Sequence, residues 1–516
     1  MAAPPMQAAG RSGDEVVVGL DLGTSSLKGL LLSVDGTQLH ATRNAYPMHS
    51  PQPSWRENDA EDWWTATVCA LQELAVVARD RGLRIRALGL VAQRDPFVLL
   101  DSDGAPVAPA ISWTDQRTGT ETAALRSEIG DARLLQITGV RPIIGQGVAA
   151  LMWTRRHLPD RWAMARRAVS PKDFVLGRLL GGAHRWRATD PTTPTRSLGY
   201  DVEQRKWSTE ILTVAGIGAE LFDPPTAEPW EASGRVAAEV AADTGLPGDV
   251  VVAVGGADDQ AATLGAGAVS AGEVCLGTGT CSGWRMVTDA HLPDPTGAAD
   301  SYPHVVPGRH IREVTIDSTG SSLRWFASTL AASVGGYEQI VALAMTAPIG
   351  AAGVRFLPFV DGAQRAPHYL DNATGVFLGI SGHHTLAHLS RAVLEGIAMM
   401  YPGTWDILRT GSADPVELTM VDAEAASTAW TQIKADVLGR SIRLPAVTSA
   451  AAMGAAVLAT TAAGIHPSVV VAAGRMVHRG NLVEPIADRV AAYAELRTRY
   501  EDDVALLRPL LTGGGR

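Results

Sequence analysis

A short polar turn near the start of the chain carries residues whose types suit an anion. It lies between two apolar runs in the stretch EVVVGLDLGTSSLKGLLLSVDG, residues 15–36. The turn residues are Gly23, Thr24 and Ser25. Such a turn points several backbone N–H groups into one concavity, which favours phosphate. Asp21 beside it could hold Mg²⁺, directly or through water, and Lys28 adds charge nearby, although an ordinary tight hairpin is the alternative.

Lysine is rare in this chain. Of its 44 basic residues only four are lysines: Lys28, Lys172, Lys206 and Lys434. A lysine within the opening motif is therefore mildly informative, although lysine and arginine both serve well on protein surfaces.

A second turn of the same character follows about half a chain later, in EVCLGTGTCSGWRMV, residues 273–287. Its turn residues are Gly277, Thr278 and Gly279. Apolar runs again flank the turn, so two related strand–turn–strand units are predicted. Two such turns, one on each of two lobes, could hold one polyphosphate from both sides.

A pair of carboxylates follows the apolar segment DVVVAVGG at 249–256, which predicts a buried strand ending in glycines. Open α/β sheets place their sites at such strand ends. Phosphoryl transfer to an alcohol needs a base near the hydroxyl, and Asp258 is the candidate. The alternative is that Asp258 or Asp259 caps the following helix; we expect one to cap and the other to react.

Composition excludes several classes of protein. The net charge of −10 disfavours a nucleic-acid partner, and the sequence has no stretch of 18 uninterrupted apolar residues to span a membrane. Residues 1–14 lack the apolar core of a signal peptide, and three scattered cysteines form no disulfide framework, so a cytoplasmic location is expected. No segment matches the P-loop pattern. His384 and His388 could share a helix face as metal ligands do, but a helix start is the favoured interpretation.

The length of 516 residues predicts two domains. We expect a tail at 1–14, an N-terminal lobe at 15–249 and a C-terminal lobe at 250–512. Alternating strand and helix patterns indicate an α/β fold with mixed sheets.

Several motifs together resemble the FGGY carbohydrate kinase family, which includes xylulokinase and glycerol kinase. The similarity covers about residues 15–510, and the segments that carry it are GLDLGTSSLKG, ISWTDQR, VGGADDQAATLGAG, LGTGT and GAQRAPHYLDNATGVFLGI. The last segment resembles the family signature, with Arg365, Pro367, Asp371 and Gly375 in register. The resemblance implies two ribonuclease H-like lobes of the actin and hexokinase type, with ATP in the cleft between them.

The resemblance also implies roles for residues. Asp21 serves Mg²⁺, the two Gly–Thr turns hold ATP phosphates, and Asp258 is the catalytic base and contacts the acceptor. Trp113 and Asp115, in the segment that resembles the family's W-x-D-x-R pattern, are implied to bind a sugar or polyol. Homodimers occur in the family, so a homodimer is possible here.

The acceptor segment departs from the xylulokinase pattern. Gln93, Arg94 and Asp95 resemble the Gln-Arg-Glu of glycerol kinases, and a guanidinium with a carboxylate suits neighbouring hydroxyls. Gly145 stands where glycerol kinases have a tyrosine, which predicts extra space and a polyol larger than glycerol, cyclic or otherwise unusual. The alternative is that Arg94 and Asp95 form only a structural ion pair.

A second departure lies after the late strand ELTMV. The family has a glycine-rich loop against adenosine, whereas this chain has Asp422-Ala423-Glu424-Ala425-Ala426-Ser427. Ala423 and Ser427 are the expected nucleotide contacts, but two carboxylates near a phosphate are electrostatically unfavourable. A non-catalytic or donor-altered relative is therefore the alternative to an active ATP-dependent kinase, and an actin-like ATPase is a third possibility.

Overall fold

The structure is a computed structural model, and it describes residues 14–182, 188–222, 226–370, 373–411 and 415–512. Except for Asp14, the predicted tail at 1–14 lies outside these ranges. Asp371 of the signature segment also lies outside them.

The described residues form strands and helices that alternate along most of the chain. The strands are β1 Glu15–Leu22, β2 Ser26–Ser33, β3 Gln38–Ala45, β4 Glu57–Asn58, β5 Arg84–Ala92, β6 Val98–Leu100, β7 Ala110–Ile111, β8 Arg167–Val169, β9 Tyr200–Asp201, β10 Lys206–Trp207, β11 Ala232–Arg235, β12 Val251–Ala253, β13 Gly256–Ala257, β14 Glu273–Thr278, β15 Ser282–Thr288, β16 Asp300–Pro303, β17 His310–Ile316, β18 Arg355–Leu357, β19 Val376–Leu378, β20 Glu417–Asp422, β21 Ile442–Pro445 and β22 Arg479–Val483. The α-helices are α1 Ala60–Asp80, α2 Gly119–Ile129, α3 Asp131–Thr138, α4 Gly147–His157, α5 Pro159–Met164, α6 Pro171–Leu179, α7 Thr209–Ala215, α8 Ala238–Thr244, α9 Asp258–Gly265, α10 Thr319–Thr329, α11 Tyr337–Ala344, α12 Leu386–Met399, α13 Tyr401–Arg409, α14 Thr428–Leu438, α15 Ala450–Ala462, α16 Val469–Met476 and α17 Ala487–Thr512.

The chain divides into two compact units. Unit 1 contains the described residues up to Gly265, together with Tyr302–Pro307 and Ser449–His478. Unit 2 contains Ala266–Ser301, Gly308–Thr448 and the described residues from Arg479 onward.

The main sheet of unit 1 is mixed, with the strand order β11-β12-β5-β1-β2-β3. Strands β1, β2 and β3 form an antiparallel meander, and β5 pairs parallel to β1 on its other side. Strand β12 continues the parallel pairing, and β11 closes the edge in the antiparallel sense. On one face of the sheet, apolar side chains of β1 and β5 are buried in a cluster with residues of α1 and α6.

Unit 2 repeats this pairing with different residues. Its main sheet has the order β16-β17-β15-β14-β20-β21-β22. Strand β14 pairs antiparallel to β15 and parallel to β20, as β1 does with β2 and β5. Strands β21 and β22 add the same parallel and antiparallel neighbours. The expected mixed α/β fold with two related ribonuclease H-like lobes is confirmed.

The unit boundary differs from the expected division near residue 250. Helix α15 comes late in the chain but packs in unit 1, against β1, β5 and α9. Its sequence AAAMGAAVLATTA is almost free of bulky residues, so strand backbones approach it closely. A Cβ on Gly19 would overlap the carbonyl of Ala452, and one on Gly89 would overlap that of Ala455. Such long-range packing is invisible in local periodicity, because the partners are over 350 residues apart.

Local patterns predicted the two Gly–Thr hairpins, which form between β1 and β2 and between β14 and β15. The DSDG segment at 101–104 is a turn, in which the Asp101 carbonyl accepts from the Gly104 N–H at 3.2 Å. No helix among the described residues has the length and apolar character needed to cross a bilayer.

Candidate functional site

The first Gly–Thr turn joins β1 to β2 and brings a carboxylate and an amine together. The Gly23 N–H donates to the Ser26 carbonyl at 3.2 Å, which closes the turn. Asp21 is opposite Lys28 in the strand register, and the Lys28 Nζ is 3.3 Å from the Asp21 Oδ2. Asp21 is only 5% exposed, and this burial raises its pKa although Lys28 opposes the shift.

A group of carboxylates in unit 1 surrounds this turn. Burial, followed by the negative charges of Asp259 and Asp21, raises the pKa of Asp258 well above its ordinary value. Asp258 begins α9, and its Oδ1 accepts the backbone N–H of Asp259 at 2.8 Å. The Asp259 carboxylate in turn accepts from the Arg94 guanidinium. Asp259 is thus paired with Arg94, and the expectation that one aspartate caps α9 while the other reacts stays a prediction.

The segment after β5 supplies polar groups beside these carboxylates. Arg94 is buried, and its guanidinium carbon lies 4.9 Å from the centre of the Tyr302 ring. Asp95 has a positive φ of 80° and lies 3.6 Å from Arg196. Gln93 is buried, and its side-chain amide makes no hydrogen bond within the described residues. A buried amide with unsatisfied donor and acceptor atoms is suited to a polar ligand.

Trp113 reaches the first turn, whereas Asp115 is occupied within the protein. The Trp113 indole N–H donates to the Thr24 hydroxyl at 3.1 Å. Asp115 is fully buried and accepts from the Arg117 guanidinium and from the backbone N–H of Arg56. A substrate hydroxyl would have to replace one of these bonds, so Asp115 is placed to fix the segment that carries Trp113. Its substrate-binding role stays a prediction.

The expectation that Gly145 opens space is wrong. Gly145 has a φ of 91°, and a Cβ added to it would overlap the carbonyl oxygen of Trp113. Its N–H donates to the Thr118 hydroxyl at 3.0 Å. Glycine is therefore required here by backbone conformation and close packing.

A buried network supports the loop before Asp258, and sequence reasoning missed it. Lys172 is fully buried, with its Nζ 3.0 Å from the Val254 carbonyl and 3.6 Å from Asp190. Asp190 accepts from Thr192, whose hydroxyl accepts the Ala257 N–H at 3.0 Å. Burial alone would lower the pKa of Lys172, but its carboxylate neighbours outweigh burial and raise it. The rarity of lysine was the one available signal.

The second Gly–Thr turn joins β14 to β15 in unit 2. The Gly279 N–H donates to the Cys281 carbonyl at 3.0 Å, and the Thr278 hydroxyl donates to the Val421 carbonyl at 2.9 Å. The Arg324 guanidinium donates to the Thr280 hydroxyl at 3.1 Å. Gly277 faces Gly283 across the hairpin, so the strands carry no side chains at that step.

The loop after β20 lies next to this turn, because Asp422 is the register partner of Thr278. A 3₁₀ helix spans Ala423–Ala426, and Ser427 caps α14 by accepting the Trp430 N–H at 3.4 Å. Ala423 is exposed, and Ser427 is half-buried. Both predicted nucleotide contacts thus lie beside the second turn, and their role stays a prediction.

Asp21 is the candidate Mg²⁺ ligand, and this role stays a prediction. Burial raises the pKa of its carboxyl and the charge of Asp259 adds to the shift, while Lys28 opposes it. No group of three or more potential metal ligands occurs among the described residues. His388 lies in the first turn of α12, where its ring accepts the N–H of the N-cap residue Thr385 at 3.1 Å, and His384 lies just before that residue.

Comparisons with known proteins cover nearly the whole chain. A model of the N-terminal domain of the FGGY family of carbohydrate kinases matches residues 16–265, and a model of its C-terminal domain matches residues 272–463. These limits bracket the point where the chain leaves unit 1.

Individual proteins that are similar to this chain are also carbohydrate or glycerol kinases. Xylulose kinase of Escherichia coli strain K12 is 31% identical over 498 residues, which are 96% of this chain and 99% of that protein. Glycerol kinase of Polaromonas sp. is 28% identical over 471 residues, covering 88% and 91% of the two chains. The crystal structure of xylulose kinase from Rhodospirillum rubrum has a TM-score of 0.83 and 29% identity, covering 96% of this chain and 99% of that one.

Proposed function

Because the chain belongs to the FGGY family of carbohydrate kinases, it is a sugar kinase that uses ATP, and we propose that its acceptor is a sugar or polyol bound by Gln93, Arg94 and Asp95. The observation that carries this proposal is the grouping in unit 1 of the raised-pKa carboxylate Asp258 with Asp21 and with the Arg94–Asp259 pair. Phosphoryl transfer to an alcohol needs a general base, a carboxylate that can bind a metal ion, and groups that bind the hydroxyls of the substrate.

Asp258 acts as the general base in this proposal. Its raised pKa brings it nearer to the range in which a carboxylate can accept a hydroxyl proton and later release it. The Lys28 amine and those backbone N–H groups of the Gly–Thr turns that do not close the turns would bind donor phosphates and stabilise their charge. Asp21 would hold Mg²⁺, which supplies charge neutralisation on the phosphates when it is bound.

The substrate hydroxyls are recognised by protein groups that donate hydrogen bonds and by others that accept them. Arg94 donates, the Asp95 carboxylate accepts, and the Gln93 amide can do both. Xylulose and glycerol are the substrates named for the relatives, and the Gln-Arg-Asp segment resembles that of glycerol kinases. The Trp113 carbonyl occupies the space beside Gly145, so Gly145 does not set the size of the substrate. The screen of phosphate acceptors therefore runs from glycerol through pentitols to ketopentoses.

The test is a coupled assay of ADP release with MgATP and each acceptor. We expect turnover with at least one polyol or ketose and its loss in Asp258→Asn, while titration of MgATP still shows binding to that variant. MgATP binding without turnover on any acceptor would favour a non-catalytic relative. ATP hydrolysis that no acceptor accelerates would favour an actin-like ATPase. Absence of MgATP binding would overturn the assignment of ATP as the phosphate donor.

A further inference from the structure

The loop that replaces the family's glycine-rich segment carries two carboxylates next to the second Gly–Thr turn. In the proposed function that turn holds donor phosphates. A free carboxylate within a few ångströms of a phosphate would repel it, because the two negative charges interact strongly at that distance near a protein surface. The position of each carboxylate therefore decides whether the loop can accept ATP.

Glu424 is turned into the interior of unit 2. It is 8% exposed, and its carboxylate forms an ion pair with Lys434, which is fully buried. The Lys434 Nζ also lies 3.9 Å from the Trp430 ring centre. Burial lowers the pKa of Lys434, while Glu424 acts in the opposite direction. This rare lysine thus serves as the internal counterion of one loop carboxylate.

Asp422 is turned away from the face of its strand neighbour. Its register partner is Thr278, so a regular strand residue would project to the same side of the sheet as Thr278. Instead Asp422 has φ 70° and ψ −157°, a conformation that is essentially restricted to glycine. Its Oδ2 lies 3.4 Å from the position of a Cβ on Gly277, on the opposite face.

Arg285 occupies that opposite face. Its Nη1 lies 2.7 Å from the same Cβ position on Gly277, so the guanidinium and the Asp422 carboxylate approach one point. Arg285 is buried, and its Nε donates to the buried Glu313 at 2.8 Å. The absence of side chains on Gly277 and Gly283 makes room for the guanidinium.

We propose that Lys434 and Arg285 hold the carboxylates of Glu424 and Asp422 inside unit 2, so that the loop presents neutral groups to the phosphate donor. Lys434 and Arg285 are positioning residues for donor binding and do not touch the donor. This inference rests on the proposed function, because it assigns to the loop the binding of ATP.

The first experiment compares MgATP kinetics in Lys434→Met, Glu424→Gln and the double variant. In Lys434→Met the carboxylate loses its counterion, and we expect the KM for MgATP to rise at least about tenfold. The acceptor KM and the kcat at saturating MgATP should change less than about twofold. Glu424→Gln keeps the shape without the charge and should stay near wild type, and the double variant should regain the wild-type KM.

A second pair of variants tests Asp422 independently and protects the test if Lys434→Met does not fold. Arg285→Gln keeps a donor toward Glu313 but removes the positive charge. We expect it to raise the KM for MgATP, and Asp422→Gly in the same chain to restore it. The rise should shrink at high salt, since released surface carboxylates are screened.

The outcomes separate this inference from the proposed function. Wild-type protein that binds and uses MgATP, with an unchanged KM in Lys434→Met and Arg285→Gln, would overturn the inference alone. An elevated KM that the second substitution does not rescue would also overturn it, because the cations would then act through packing. Failure of the wild type to bind MgATP would overturn both.

Discussion

The two Gly–Thr hairpins occupy the same position in their sheets but differ in the charges around them. The hairpin of unit 1 is flanked by Asp21 and the Asp258–Asp259 pair, and burial raises the pKa of Asp21 and of Asp258. The hairpin of unit 2 is flanked by Glu424, whose charge is balanced by the buried Lys434. Burial therefore disfavours the ionised forms of Asp21 and Asp258 in unit 1, whereas a buried lysine balances the charge of Glu424 in unit 2.

The largest expected effect comes from removing the proposed general base of unit 1. Asp258→Asn should lower kcat by about 10³-fold, because general base catalysis contributes roughly 10²–10⁴-fold. Steady-state assays with the best acceptor measure it. Glu424→Gln is the control from unit 2, and a comparable loss of kcat there would contradict the contrast between the two hairpins.

A smaller effect is expected from the support of the Asp258 loop. Thr192→Val removes the hydroxyl that accepts the Ala257 N–H and donates to Asp190, and we expect kcat to fall about tenfold. Thr192→Ser keeps both hydrogen bonds and should restore kcat. The pH profile of kcat separates the roles, because misplacement of the base shifts its apparent pKa. A lower melting temperature with unchanged kcat and pH profile would show a purely structural role.

The carboxylates of unit 1 also predict a pH-dependent stability. Burial, with the charges of Asp259 and Asp21, raises the folded pKa of Asp258 above the unfolded value of about 3.9. The folded state then binds the proton more tightly, so this stabilisation is present below the unfolded pKa and is lost as pH rises through the folded pKa. Asp258→Asn should be more stable than wild type near neutral pH, and the difference should close toward about pH 4.

Differential scanning calorimetry of the two proteins across that pH range tests the sign. A stability difference that does not vary with pH would mean that Asp258 ionises with an unshifted pKa. The same calorimetry on Glu424→Gln provides the matched control from unit 2.

The smallest expected effect is the relief of strain at Asp422. Asp422→Ala removes the carboxylate but keeps a Cβ in the glycine-type conformation, whereas Asp422→Gly removes both. The glycine variant should exceed the alanine variant in unfolding free energy by about 1 kcal/mol, since strain of about 1–3 kcal/mol is partly offset by glycine's greater unfolded entropy. Urea unfolding measures the difference, and equal stability would show that the loop relaxes.

Local sequence patterns were sufficient for the hairpins but not for the charges around them. Alternating apolar residues and Gly–Thr turns are properties of neighbouring residues, so both strand pairs and Asp258 at the start of α9 could be predicted. The family resemblance added roles that no periodicity contains. The resemblance placed the carboxylates of Asp422 and Glu424 near the donor phosphates, where they would be electrostatically unfavourable. It could not show which way these two side chains point.

Long-range contacts account for the rest. The pairing of Lys172 with Asp190 and the close approach of the Trp113 carbonyl to Gly145 join segments that are separated in the sequence. Gly145 shows most directly why the sequence alone was misleading. The missing side chain predicted free volume, but the backbone carbonyl of Trp113 fills that position. Scarcity of lysine was a usable signal, since two of the four lysines are fully buried counterions.

The placement of α15 has a consequence for how the protein is made. Unit 1 begins with the first strands, yet its sheet is covered by a helix that starts at Ala450. At about 5–20 residues per second, a ribosome needs roughly 10–40 s to proceed from the end of α9 to the end of α16. During that interval the nascent sheet of β1 and β5 exposes the apolar face against which α15 will pack. Chaperones that shield apolar surface have their longest opportunity to bind this chain there. Unit 2 is completed later still, because its strand β22 and helix α17 follow the last residues of unit 1.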